Sequence, residues 1–368
     1  MTELVFVLEQ TLGHVAHARN LERVVGADPQ IVPTFIRVEF EPRHRWERLP
    51  ALGNWSVRAS WAARQALLRR LGNGSEDAVF IHTQVAALLA AGIMRRIPTV
   101  VSLDATPANF DAVGAAYSHT VSPAGVESIK RSVNRRVFEA AAALVTWCRW
   151  AAASLRDDYD VPPEKIRVIP PGVDVTLFTP RTKQRRSPVK LLFVGGDFER
   201  KGGRDLLAAL PQVAGEVEVD LVTGDAGGKP AVNGVPVRVH RGLQPQSEEL
   251  VRLYREADVF VLPARGDCLP QAIAEAMACG LPVVSTAIGA IPELVREGET
   301  GLLVPPGQPR YLAQALSALV ADQGRREAMG RAGLEVARRD HDMMRNNRSI
   351  LDLMSELASE RSYAMGLA

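Results

Sequence analysis

Asp267 and Glu275 stand eight residues apart in a segment that runs from Arg265 to Val284. Ahead of Asp267 is a short apolar run, Val259–Leu262, which reads as a buried strand. Behind it Pro270 sits where a first helical turn is expected, a position proline favours because it has no N–H to leave unsatisfied. Backbone N–H groups near Leu269 and Gln271 at such a turn, added to the helix dipole, make a site for an anion. Two carboxylates, one in the loop and one in the helix, can accept hydrogen bonds from vicinal hydroxyls of a sugar or ribose. From the residues alone, an N-capping aspartate and a solvated helix glutamate are the alternative.

A second segment runs Val194, Gly195, Gly196, Asp197, Phe198, Glu199, Arg200, Lys201, Gly202, Gly203. It follows the apolar run Lys190–Val194 and enters a helical stretch. Glycines let a backbone approach a phosphate, and Arg200 and Lys201 offer positive charge. The glycine spacing matches neither the P-loop nor the dinucleotide fingerprint. A strand-to-helix turn with a solvated basic pair is again the alternative. In the first half Gln10–His14 forms a short loop around Gly13 after the run Leu4–Leu8, and the run Thr99–Leu103 ends at Asp104.

Short apolar runs alternate with longer helical patterns along the whole chain. Continuous runs separated by helices predict parallel sheets covered on both faces, the doubly wound α/β class. Strands are expected at Leu4–Leu8, Val79–His82, Thr99–Ser102, Leu144–Thr146 and Ile166–Ile169. After the basic, proline-bounded stretch Thr179–Pro188 the alternation restarts at Lys190–Val194, Val217–Val222, Val237–His240, Val259–Leu262, Val283–Ser285 and Leu302–Val304. The expected organisation is a first Rossmann-like domain at 1–178, a linker at 179–188 and a second domain at 189–342. A last helix, 343–368, crosses back to the first domain. Helices are expected at Ser56–Leu71, Pro123–Ala143, Gln271–Ala278 and Asn346–Glu360, among others, and Glu299–Pro305 reads as a hairpin-like piece.

Composition narrows the function classes. The 368 residues carry 44 Lys and Arg against 42 Asp and Glu, a balance that gives no charge argument for a nucleic-acid partner. Cys148, Cys268 and Cys279 are too few and too scattered for a disulfide framework or a zinc site, which fits a reducing compartment. The longest apolar run, Val85–Met94, has ten residues against the roughly 20 that span a bilayer. A cytoplasmic location is expected. Residues 43–70 hold seven arginines, one acid (Glu47) and Trp46, Trp55 and Trp61, a pattern that suits peripheral contact with an anionic inner membrane face. Asp158-Tyr-Asp160 has the spacing of a metal motif but sits in a helix-to-strand connection and reads as a solvated turn.

Taken in order, these segments resemble the family-4 retaining glycosyltransferases of the GT-B fold, most strongly over residues 140–306. The resemblance implies two Rossmann-like domains facing a central cleft. It also implies transfer of a sugar from a nucleotide-diphosphate sugar (a UDP- or GDP-sugar) to a hydroxyl acceptor, with retained anomeric configuration. The acceptor would be a small molecule, a glycan or a lipid-linked sugar. No metal and no further cofactor are expected. The family's Glu-x7-Glu pattern appears here as Asp267-x7-Glu275, so Asp267 would hold the donor sugar and Glu275 the ribose. Lys201 matches the family's Lys-Gly. Gly196 stands where the family carries arginine, so Arg200 is the expected substitute at the diphosphate. Gly13, Gly195, Leu269 and Gln271 would approach the donor through their backbone. Asp104 aligns with a family histidine beside the transferred sugar, with His14 and His82 as alternatives. A glycoside phosphorylase, or a catalytically silent nucleotide-sugar-binding protein, would carry the same outline.

Overall fold

The computed structural model describes residues 1–10, 13–39, 54–71, 76–181, 187–224, 232 and 234–366. The chain divides into two compact units. The first comprises Met1–Asn109, Val121–Gly172 and Met343–Ala368, and the second Phe110–Thr120 and Val173–Asp342. The crossing at Gly172–Val173 lies ahead of the boundary expected at residue 178. Residues 110–120, from the first half of the chain, fold with the second unit. Of the stretch 179–188, residues 182–186 lie outside the described residues, as do 43–53 of the tryptophan-bearing basic stretch.

The first unit is built on six parallel strands: β1 (Thr2–Glu9), β2 (Ile31–Val38), β3 (Ala78–His82), β4 (Thr99–Leu103), β5 (Ala143–Thr146) and β6 (Ile166–Val168). Their order is β2-β1-β3-β4-β5-β6. Alternation splits β1 between the two faces. Val5 and Val7 join a core with Val79, Ile81 and Leu67, while Leu4, Phe6 and Leu8 join another with Leu21, Phe80 and Val145. The helix Met343–Gly366 closes that second face through Ile350, Leu351 and Met354. It is pinned by Asn346 Nδ2, which donates to the Pro170 carbonyl at 3.1 Å. Gly172 is required there, because a Cβ would overlap the Met343 backbone.

The second unit repeats the plan with β7 (Val189–Val194), β8 (Val217–Val222), β9 (Val237–His240), β10 (Val259–Leu262), β11 (Val283–Thr286) and β12 (Gly301–Val304). The order is β12-β11-β10-β7-β8-β9, all parallel. The hairpin-like reading of Glu299–Pro305 is thereby corrected, since β12 lies parallel to β11. The helix expected at Pro123–Ala143 stops at Ala140, because Ala143 already opens β5.

Each sheet has a point where strand order reverses, between β1 and β3 in one and between β7 and β10 in the other. Ligands of open parallel sheets bind outside the carboxyl ends of strands at such a point. Both clusters of sequence candidates fall there.

Candidate functional site

In the second unit β7 runs out into Gly195 and Gly196, and β10 runs out into Pro263–Asp267. Gly202 lies between a turn and the helix Gly203–Ala209 with φ +79°, and a Cβ there would strike the Pro263 carbonyl. Only glycine lets the two loops come that close. The contact carries Lys201 to Asp267: its Nζ donates to Oδ2 of that carboxylate. A Cβ on Gly195 would meet the Lys201 stem at 2.8 Å, so Gly195 keeps the lysine in place. Gly196 is different, with open space where a side chain would go.

Arg200 is the residue whose placement departs furthest from the sequence expectation. Its side chain is 8% exposed. Nε donates to Asp197 Oδ2 at 3.2 Å. Nη1 donates to the Gly266 carbonyl at 3.0 Å and to the Tyr117 hydroxyl at 3.1 Å, and the guanidinium lies 4.4 Å from the Tyr117 ring centre. Asp267 Oδ2 is 3.8 Å away. Arg200 therefore buttresses the Asp267 loop, and Lys201 holds that carboxylate directly. Neighbouring Arg265 forms a two-pronged bond to Asp205, at 2.7 and 2.6 Å, that fixes the same loop to the helix behind Lys201. Tyr117, Asp205 and Arg265 were not singled out by the sequence. Tyr117 lies 83 positions from Arg200, so no local signal marks it.

Pro270 is the N-cap of the helix Gln271–Ala278, one position before the turn in which it was expected. Leu269 is buried and Gln271 half-buried at this helix start. Glu275 lies one turn in. Its Oε2 accepts a hydrogen bond from the Tyr254 hydroxyl at 2.8 Å. Burial pushes its carboxyl up to about 7, against the opposing pull of that hydrogen bond. The Tyr254 phenol is held well above its usual range, first by burial and then by Glu275. Asp267 and Glu275 thus differ in kind: one is salt-bridged to a lysine, the other accepts from a tyrosine hydroxyl.

In the first unit Gly13 is the N-cap of the helix His14–Gly26, while Thr11 and Leu12 of the same loop lie outside the described residues. Glu9, His14, His17, His82, Asp104 and Trp147 come together at the ends of β1, β3, β4 and β5. His14 Nδ1 is 3.1 Å from His82 Nε2. His14 Nε2 is 3.9 Å from both Glu9 Oε1 and Asp104 Oδ2. Asp104 and its two alternatives, His14 and His82, are therefore one cluster. Glu9, His17 and Trp147 were missed. Position at a strand end would have found Glu9, beside the reversal, and Trp147, after β5; His17 enters the cluster from the helix His14–Gly26.

Two family models account for most of the chain. "Glycosyltransferase Family 4" matches residues 16–177 and "Glycosyl transferases group 1" matches residues 188–322. With its two six-stranded parallel sheets, the chain belongs to the group 1, family 4 glycosyltransferases of the GT-B class. Among curated relatives it is 33% identical to D-inositol 3-phosphate glycosyltransferase of Xylanimonas cellulosilytica, over 61% of this chain and 60% of the relative. It is 32% identical to the protein of that name from Corynebacterium efficiens, over 57% and 55%. The matches thus span less than two thirds of these relatives' length. Among solved structures, sucrose-phosphate synthase from Thermosynechococcus elongatus superposes with a TM-score of 0.78 at 18% identity, covering 98% of this chain and 100% of that one. Anabaena Alr3699/HepE in complex with UDP gives 0.68 at 18%, covering 97% and 100%.

Proposed function

We propose that this chain transfers a sugar from a nucleoside-diphosphate sugar to a hydroxyl acceptor. The observation that carries the reading is the Lys201–Asp267 pair, held at the β7/β10 reversal by Arg200 and Arg265, with Glu275 one turn into the next helix. In the ligand-free pair each charge satisfies the other. An arriving diphosphate competes for the Lys201 ammonium and releases Asp267 to accept from sugar hydroxyls. Lys201 then faces the charge that builds on the leaving phosphate, a preorganised interaction that lowers the barrier. In this role the lysine and the helix start at Leu269 and Gln271 take the part a metal ion plays elsewhere. Glu275 is suited to ribose hydroxyls, because a carboxylate accepts from both. Gly13 and Asp104, on the first unit, take the donor phosphate and the transferred sugar, with the acceptor next to them.

Retention follows if the acceptor hydroxyl attacks from the face the phosphate leaves, its proton passing to the phosphate oxygen. That route needs no separate base. The name of the curated relatives supports glycosyl transfer, and the UDP and UDP-glucose complexes of Alr3699/HepE support the donor class. We place the protein in the cytoplasm, where its three free cysteines stay reduced. Among the described residues no helix is long and apolar enough to cross a membrane. Peripheral contact falls to the helix Trp55–Arg70, where Val57, Trp61 and Leu68 are exposed on one face.

Thermal shift with UDP, GDP, ADP and their glucose conjugates tests this. A nucleotide at a hundred times its Kd adds about 2.7 kcal/mol of stability. The shift should vanish in Lys201→Ala. No shift with any of them refutes the reading. A shift with inorganic phosphate and a glycoside but none with nucleotides selects a phosphorylase.

A further inference from the structure

Glu275 has two carboxylate oxygens and, among the described residues, one side-chain partner, the Tyr254 hydroxyl on Oε2. The residue is half-buried, and Oε1 keeps contact with solvent. Tyr254 itself is fully buried, on the helix Glu248–Glu256. Its hydroxyl has one hydrogen and two acceptors in reach, Glu275 Oε2 at 2.8 Å and the Ala272 carbonyl at 3.4 Å. The shorter distance and the charge of a carboxylate both send the hydrogen to Glu275.

The ring that carries this hydroxyl is held from two sides. Phe260 of β10 stacks on it with centroids 5.7 Å apart, and Phe178 meets it edge-on at 5.5 Å and 86°. Phe178 is fully buried and is set in turn by Arg255, whose Nη2 donates to the Leu177 carbonyl and the Thr179 hydroxyl, each at 2.8 Å. A phenylalanine would fill the space between these rings as well as a tyrosine does. What the hydroxyl adds is a donor aimed at Oε2. That bond fixes the plane of the carboxylate and so the direction of the Oε1 lone pairs. It also favours the ionised form, against the burial that pushes this carboxyl up to about 7. Besides Glu275, the titratable group acting on Tyr254 is the buried Cys279 thiol, at the end of the helix that carries Glu275.

We propose that Tyr254 is a positioning residue of the nucleotide site: by holding Glu275 Oε2 it turns Oε1 toward the ribose hydroxyls and keeps that carboxylate ready to accept from them. This rests on the transfer reading and deepens it, because it makes recognition of the ribose depend on a side chain that does not touch the nucleotide.

The test uses the full chain and compares UDP with 2′,3′-dideoxy-UDP, and GDP with 2′,3′-dideoxy-GDP, by isothermal titration from about pH 5.5 to about pH 8.5. The ratio of the two affinities isolates the ribose hydroxyls, because base and diphosphate titrate alike in both members of a pair. In the parent the ratio should reach about tenfold at the upper end and fall toward one as Glu275 takes up its proton near pH 7. Tyr254→Phe keeps the ring. It should leave dideoxynucleotide binding unchanged, lower the ratio near neutral pH by about threefold and move its rise to higher pH. Glu275→Gln should give a low ratio that is flat in pH, and adding Tyr254→Phe to it should change the ratio no further. One measurement needs no Tyr254 variant: with 13C at tyrosine Cζ, the Tyr254 signal should shift as the pH crosses the Glu275 titration and stay still in Glu275→Gln. A merely structural tyrosine would weaken both nucleotides equally and leave the ratio and its pH profile as in the parent. That result, a parent ratio of one, or a Tyr254 signal that ignores the Glu275 titration overturns the proposal while nucleotide binding stands. If neither ribonucleotide binds, the transfer reading fails and this proposal falls with it.

Discussion

Replacing Glu275 by Gln should stabilise the protein, and the gain should grow with pH. In the folded chain burial raises the Glu275 carboxyl from the ordinary 4.5 to about 7. Below 4.5 the acid is neutral in both folded and unfolded chains and adds nothing to pH dependence. Between 4.5 and 7 the unfolded chain has lost this proton while the folded chain still holds it, so stability falls as pH rises. Above 7 both forms are ionised and the loss is complete, at about 3 kcal/mol as an upper figure. Gln keeps an oxygen that can accept from Tyr254 and carries no charge to desolvate. The difference between Glu275→Gln and the parent should therefore be near zero at about pH 4 and reach its full value by about pH 8. His17, pushed down to about 3 chiefly by burial, opposes this in the parent, because its neutral folded form loses stability as pH falls below its unfolded value. Taking the difference between variant and parent cancels that contribution, since the two groups lie in separate units. All five tryptophans precede residue 151, so tryptophan fluorescence follows the first unit and serves as the control. Hydrogen exchange of the Gln271–Ala278 amides follows the second. The same variant should bind nucleotide at least tenfold more weakly. A stability difference that is flat in pH, or a variant progressively destabilised toward high pH, would refute the reasoning.

Four other outcomes follow from the same geometry. Gly196→Arg should fold normally, because the position is open, and should tighten UDP binding by restoring the family's arginine; isothermal titration checks it. Gly202→Ala should cost upwards of about 2 kcal/mol, since φ +79° and the Pro263 carbonyl both oppose a side chain, as denaturant midpoints would show. Tyr117→Phe removes one hydrogen bond from Arg200 but keeps the ring, so it should cost about 1 kcal/mol and loosen the Asp267 loop, seen as faster amide exchange at 265–269. Trp61→Ser with Leu68→Ser should abolish flotation with phosphatidylglycerol vesicles and leave nucleotide binding unchanged; flotation that persists would remove that helix face from consideration.

What the sequence made legible follows from which forces are local. Eleven strands showed as short runs rich in β-branched and Leu residues; the central ones, such as β3, β10 and β11, are covered on both faces, whereas β6, β8 and β9 also carry charged residues. The twelfth, β2, was missed for a physical reason. It is an edge strand, mostly half-exposed between Ile31 and Val38, and it holds Pro33, whose absent N–H an edge can tolerate. The Asp267–Glu275 spacing and the run Gln271–Ala278 were readable because one loop and one helix set them. The protein contacts of Arg200 were not readable because its partners come from elsewhere: Gly266 is 66 positions away and Tyr117 is 83. Sequence shows that a basic side chain follows a glycine turn. It does not show whether that charge is spent on the protein or left for a ligand.

The histidines make the same point from the other side. His14 and His82, read singly, are each more simply structural residues than ligands. Yet β1 pairs with β3 in parallel, Leu8 opposite His82, so the loop after one strand and the last residue of the other must meet. That pairing could be argued from the doubly wound class, in which the first strand lies at the reversal of order. Ranking polar residues by their place at strand ends beside that reversal, rather than by motif, would have put Glu9, His14, His82 and Thr83 in one group before any coordinates. The same ranking in the second unit returns Gly195, Lys201 and Asp267. Two sheets with no evident sequence repeat thus place their polar groups by one rule, the first collecting imidazoles beside carboxylates and the second cations. That contrast in charge is what the proposed division of hydroxyl and phosphate ligands rests on.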